Sequence, residues 1–285
     1  MFQGKFKHTV LRFLTLTVIL LGANSAMADD NSIYINQTGD NSTVTMTQDG
    51  SGNVIRGIQG TGTDNTTPAN ITGNANTVTV QQVGAGNTLN LGLTTGIATG
   101  GTFGGDFSYI VTGNNALATI DSNNDGQGIS QSNLIHVNQT GDNSRANVNV
   151  LGNLNSVIAT TTGGSYNSVT STVNGDNNSQ NITVSAGGSN SVTINQGIGG
   201  SALPQIGGIS GLASTNYNST ADVTVTGASN SVSVKQTGST NTTVLSLNGS
   251  ANTATVNQSA LAGNTTVNIA SSGSNNQFSI TSTNH

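Results

Sequence analysis

NSVSVKQTGSTN, residues 230–241, opens and closes on Asn and carries valines at alternate positions between them. Val232, Val234 and Gln236 share one parity, while Lys235 has the other. In an extended strand successive side chains point to opposite faces, so the valines and Gln236 point together and Lys235 points to water. An amide in line with apolar residues needs a reason, because a buried Gln without hydrogen-bond partners is costly.

The same frame recurs along the chain. An Asn or Ser opens it, apolar residues follow two and four later, Gln often stands at six and Gly at eight. Asn31, Gln37 and Gly39 fit, and Ser42, Gln48 and Gly50 follow directly. Asn53 keeps the frame, as do Asn76, Gln82 and Gly84, then Asn87. Asn133, Gln139 and Gly141 lead to Ser144 and Gly152. Asn190 with Gln196, Asn230 with Gln236 and Gly238, then Asn241, and Asn252 with Gln258 complete the set. Val150, Val173, Val225 and Leu247 take the Gln position in other units, so a Gln column would be interrupted.

A period of two is a strand signal. Seven alternating residues, a Gly-Asn or Gly-Asp turn and seven more make a strand–turn–strand unit of about 22–23 residues that cannot bury its inner face alone. Stacking such units gives an all-β fold, a β-solenoid, whose rungs bond one another at about 4.8 Å. In such a stack the Gln of one rung donates to the Gln above and accepts from the one below, an amide ladder of the cross-β kind. The frame breaks near 60–75, 92–131 and 197–217, read as loops bulging from the solenoid, and both prolines, Pro68 and Pro204, fall there.

Residues 1–28 read as a secretory signal peptide: Lys5, Lys7 and Arg12, an apolar run from Phe13 to Ala23, then Ala26-Met27-Ala28. The run is too short to span a membrane. Residues 29–285 are then the repeat domain, secreted and placed outside the cell or on its surface. That part keeps Arg56, Arg145 and Lys235 against eleven acidic residues, all Asp, a balance of −8. Three cations make no phosphate-binding groove, so nucleic acid is not an expected partner. With no Cys, no Glu and only His136 and His285 in this part, the sequence shows no catalytic constellation and no zinc set, and the expectation is no enzyme and no cofactor. A weak calcium candidate is DSNNDG, with Asp121, Asn123 and Asp125 at alternate positions, but position twelve is Ser132 rather than Glu.

QDGSGN (48–53), QVGAGN (82–87) and QTGSTN (236–241) resemble the Gln-x-Gly-x-x-Asn core of curlin repeats, and the Asn/Ser-x5-Gln spacing resembles it too. The resemblance implies a secreted subunit of curli, bacterial amyloid fibres of biofilm matrix, that self-assembles. It also implies a nucleator subunit and an outer-membrane exporter as partners, and inward ladders of the Asn, Ser and Gln residues named above. Asp29-Asp30 runs straight into Asn31, where the family carries an exporter-recognised leader.

Neither terminal pattern shows a helical, charged or Pro-rich cap, which favours end-to-end assembly. Asp40, Asp49, Asp142 and Asp176 fall at turns, where charge opposes premature stacking. The rival expectations are a monomeric adhesin and an ice-binding protein, the latter from outward Thr45, Thr77, Thr79, Thr224 and Thr253.

Overall fold

The computed structural model describes residues 15–18, 30–39, 42–58, 67–73, 75–94, 105–123, 133–152, 154–185, 187–197, 218–238, 240–260 and 264–284. Among them there is no helix. The strands are β1 (Thr15–Val18), β2 (Ser32–Ile33), β3 (Ile35–Thr38), β4 (Thr43–Asp49), β5 (Val54–Arg56), β6 (Ala69–Thr72), β7 (Thr77–Val83), β8 (Thr88–Thr94), β9 (Asp106–Thr112), β10 (Leu117–Asn123) and β11 (Leu134–Thr140). Then come β12 (Arg145–Leu151), β13 (Ser156–Thr162), β14 (Ser168–Asn174), β15 (Ser179–Ser185), β16 (Ser191–Gln196), β17 (Thr220–Thr226), β18 (Ser231–Gly238), β19 (Asn241–Asn248), β20 (Thr253–Ala260), β21 (Thr265–Ser272) and β22 (Gln277–Asn284).

They alternate between two sheets. The first runs β1-β4-β7-β9-β11-β13-β15-β17-β19-β21, and the second β2-β5-β8-β10-β12-β14-β16-β18-β20-β22, with β3 and β6 extending its amino-terminal edge. Every pairing is parallel. Each rung is thus one strand of each sheet joined by a turn, which is the stack expected from the sequence. The step between equivalent residues is 22 from Asn133 to Asn155 and 23 from Asn155 to Asn178, and it widens to 41 from Asn178 to Ser219 where an insertion intervenes. Thr15–Val18, within the segment read as a signal peptide, lies parallel on β4.

Alternation sends one parity inward from both sheets. Val44 and Met46, Val78 and Val80, Val232 and Val234 are all buried, and Phe107 and Tyr109 are among the largest fully buried side chains. Opposite them, Lys235 stands exposed. Six turns place the next inward set through a Gly in the left-handed region: φ is 122° at Gly39, 112° at Gly50, 116° at Gly84, 125° at Gly141, 121° at Gly152 and 87° at Gly238. At Gly84 a Cβ would stand 2.0 Å from the carbonyl oxygen of Gly113 in the next rung. Backbones approach so closely there that only Gly fits.

The turns on the two edges differ. From β4 onward, every turn leading from the first sheet to the second has four or five residues. The three long connections, 95–105, 124–133 and 197–219, all lead from the second sheet back to the first. A fourth insertion splits a strand of the second sheet into β5 and β6.

Two of the three frame breaks hold strands. Residues 60–75 contain β6, and 92–131 contain the end of β8 and the whole of β9 and β10, paired in register with the rungs on both sides. The rung at β9 and β10 escapes the sequence frame because it opens on Gly105 and Ala116 and puts Val111 and Ser122 where Gln would stand. Hydrophobic alternation alone is enough to hold it: Phe107, Tyr109, Val111, Ala118 and Ile120 are all buried. Of the third break only Gly197 lies within the described residues.

Candidate functional site: the buried amide ladders

The opening residue of each strand sits at the corner of a rung, where the turn re-enters the stack. Ser42, Asn53, Asn76, Asn87, Asn133, Ser144, Asn190, Asn230, Asn241 and Asn252 are all buried there, and Asn31 in the terminal rung is half-buried. The side chain acts as a clasp on the following rung. Oδ1 of Asn53 accepts the backbone N–H of Asn87 at 3.0 Å, and its Nδ2 donates to the carbonyl of Gly84 at 2.9 Å. Asn230 holds the N–H of Asn252 at 3.0 Å and the carbonyl of Gly249 at 3.0 Å in the same way. Asn155 does so with Asn178 and Gly175, at 3.0 and 2.7 Å. The clasp closes the corner by satisfying two backbone groups that the turn would otherwise bury unpaired. A Ser makes a looser version of the same clasp: Ser42 accepts the N–H of Asn76 at 3.2 Å and donates to the carbonyl of Gly73 at 3.3 Å.

The Gln side chains form relays. Gln48 donates to Gln82 at 2.8 Å. A longer run begins at Gln180, which donates to Gln196 (3.1 Å), which donates to Gln236 (2.7 Å), which donates to Gln258 (3.0 Å). Each amide also reaches backbone carbonyls across the interior: Gln180 that of Thr172, Gln196 those of Ser179 and Ser219, Gln236 that of Thr220, Gln258 those of Thr242 and Thr265. The Gln in line with the valines is therefore fully used as a donor. There is no single column: Gln48 and Gln82 belong to the first sheet, Gln196, Gln236 and Gln258 to the second, and Gln180 crosses from one to the other.

The relay is broken in the middle of the stack. Gln139 is buried and accepts from the hydroxyl of Tyr109, but its Nε2 has no partner. Thr161, its register partner in the next rung, and Ser144 bury hydroxyls that also lack partners. Desolvation by burial raises the pKa of Tyr109 above its usual value. In the terminal rung the half-buried Gln37 donates to the carbonyl of Gly39, and its Oε1 is unpaired.

Sequence reasoning missed Asn155, Asn167, Asn178 and Gln180, all buried ladder members. Each of the three Asn residues stands just before a Ser that starts a strand, but none has Gln six residues on; Thr161, Val173 and Val184 stand there instead. The signal was the Asn-Ser dipeptide at the frame's opening position. Thr243 was missed as well, and it donates to Gln258; Thr265, at a frame-opening position, donates to Asn241.

The calcium candidate lies only partly within the described residues. Asp121 lies within β10 and Asn123 ends it, in an extended strand rather than a tight loop, and Asp125 lies outside the described residues. Among the described residues no group of three or more His, Asp or Glu side chains gathers to hold a metal. His136 points outward and lies 3.6 Å from Asp106 on the exposed face of the first sheet. Among the described residues no helix is long and apolar enough to cross a membrane.

Between Gly227 and Ser259, Asn230, Gln236, Asn241, Asn252 and Gln258 are all engaged in the ladder. Residues 227–259 match the family model of the curlin associated repeat. The matched segment holds β18, β19 and β20 as far as Ser259, with the turns between them, and it contains residues 230–241. No curated protein and no solved structure matches the chain.

Proposed function

We propose that this protein is the structural subunit of a secreted, curli-like fibre that serves adhesion and biofilm matrix, assembling by strand addition at the ends of the solenoid. The observation that carries the reading is the buried amide relay along the stack axis, part of which lies in the segment that matches the curlin associated repeat. A relay of this kind gains partners with every rung added, so extending the stack satisfies groups that an end leaves open. Residues 1–28 act as the secretion signal on this reading, and an exporter and a nucleating subunit are its expected partners. No catalytic role is assigned. The test is electron microscopy with an amyloid dye on the purified protein released from denaturant at neutral pH. Unbranched, dye-positive fibres are expected; a stable dye-negative monomer rich in strand overturns the reading.

One observation favours ice binding as a second reading. In the second sheet Thr119, Asn147, Thr170, Thr193, Ser233, Thr255 and Ser279 occupy one outward column through successive rungs. Thermal hysteresis in a monomeric preparation supports that reading; its absence removes it.

A further inference from the structure

The opening Asn residues all accept in one direction. Asn31 takes the N–H of Asn53, Asn53 that of Asn87, Asn133 that of Asn155, Asn190 that of Asn230, and Asn252 that of Asn276. The Gln relays likewise donate toward the later rung. The two ends of the second sheet are therefore chemically unlike. At the carboxy-terminal end Asn276 is held by Asn252, while its own Nδ2 bends to Ser271 at 3.1 Å. Among the described residues no later N–H meets its Oδ1, and β22 alternates between exposed and half-exposed along its length. Phe278 and Ile280 at this end, and Ile33 and Ile35 at the other, are only partly covered by the core.

We propose that β22 of one copy receives Ser32–Thr38 of a second copy in parallel, with Asn31 of the incoming copy placed on Asn276. This rests on the fibre reading above and adds its polarity and its register. The register continues the existing columns, in which Ser32 lies on Val54, Ser231 on Thr253 and Thr253 on Gln277. Ile33 then covers Phe278, Ile35 covers Ile280, and Asn276 clasps the N–H of Asn31. The backbone agrees: Tyr34, Ser231 and Thr253 send their N–H to the following rung, so the N–H groups of Gln277, Ser279 and Thr281 face the open edge. Joining unlike ends makes a head-to-tail contact that does not close on itself and so extends without limit. On the first-sheet side β1 borders β4. Once residues 1–28 are removed, that sheet is one strand short at the junction, and the second sheet carries the contact.

The chain has no Cys, so two single-cysteine variants report the junction. Tyr34 and Ser279 share one outward column, and neighbouring strands about 4.8 Å apart bring their Cα atoms within disulfide range. Mixed Y34C and S279C proteins, oxidised during assembly, are expected to give the unlike disulfide at least tenfold over either like pair. Dominant like pairs mean symmetric docking and overturn the proposal. Fibres without the unlike disulfide overturn the junction but leave the fibre reading standing; no fibres at all sink both. Ser279→Pro gives a second measure, since it removes one edge donor and leaves the bonds of β22 to β20 in place. It is expected to stop elongation of wild-type seeds at substoichiometric amounts. Elongation of S279P alone at the wild-type rate overturns the proposal.

Discussion

The hydroxyl of Tyr109 donates to Oε1 of Gln139 at 3.1 Å, from one rung to the next, in the part of the stack where the Gln relay is missing. Burial raises the pKa of this hydroxyl. The unfolded chain therefore ionises first, near the ordinary tyrosine value of about 10. The stabilising contribution is whole below that pH and is lost as pH rises above it. Thermal melts between about pH 8 and 11 should show stability falling at the alkaline end, and Tyr109→Phe should flatten that fall. The same substitution should cost about 1–2 kcal/mol at neutral pH, because Gln139 loses its donor. An unchanged alkaline limb in Y109F rules out Tyr109 as its source.

The engaged and the orphaned Gln should respond differently to removal. Gln236 accepts from Gln196 and donates to Gln258, Thr220 and Thr243. Gln236→Val should cost about 2–3 kcal/mol in urea unfolding, from orphaned partners and lost packing. The pair Tyr109→Phe with Gln139→Val removes a bond and an unpaired Nε2 together, and should fall within about 1 kcal/mol of wild type. Equal losses in the two variants contradict the relay.

The clasp ranks substitutions at Asn155. Ser keeps the acceptor for the N–H of Asn178 and reaches the glycine carbonyl less closely, as Ser42 reaches Gly73 at 3.3 Å where Asn155 reaches Gly175 at 2.7 Å. Asp keeps the acceptor too, but sets a buried carboxylate against the Gly175 carbonyl oxygen. Asn155→Ser should cost about 1 kcal/mol and Asn155→Asp more than about 2 kcal/mol at neutral pH. A chemical denaturation series that reverses the order refutes the clasp.

Turn glycines divide by what lies above them. Gly84→Ala meets the Gly113 carbonyl oxygen at 2.0 Å and must shift the rung, whereas Gly163, with φ 72°, has nothing within 4 Å. Gly163→Ala should cost about 1 kcal/mol of left-handed strain, and Gly84→Ala several times that. Melting temperatures compare the two directly.

The sequence made the inward parity, the corner Asn residues and the turn glycines legible, because stacking repeats the same chemistry at the same phase. The reading failed wherever a rung kept the packing but changed the polar residue. Gly105, Ala116 and Val111 hide a complete rung, and Thr161 and Val184 hide the Asn corners before them. Burial tolerates Val or Thr in a Gln position, and at Thr161 it does so even though the neighbouring Gln139 is left with an unpaired Nε2. Gln180 was unreadable for another reason: its bond to Gln196 crosses between sheets, and no spacing along one strand announces that.

The one-way clasp also bears on how the chain reaches this fold. Each Asn acceptor belongs to the earlier rung and each N–H it takes to the later one. A chain that is made or delivered amino end first thus lays down every receptor before its ligand arrives. The newest rung closes on a corner already formed, so folding can advance vectorially, at the pace of delivery, without waiting for the whole chain.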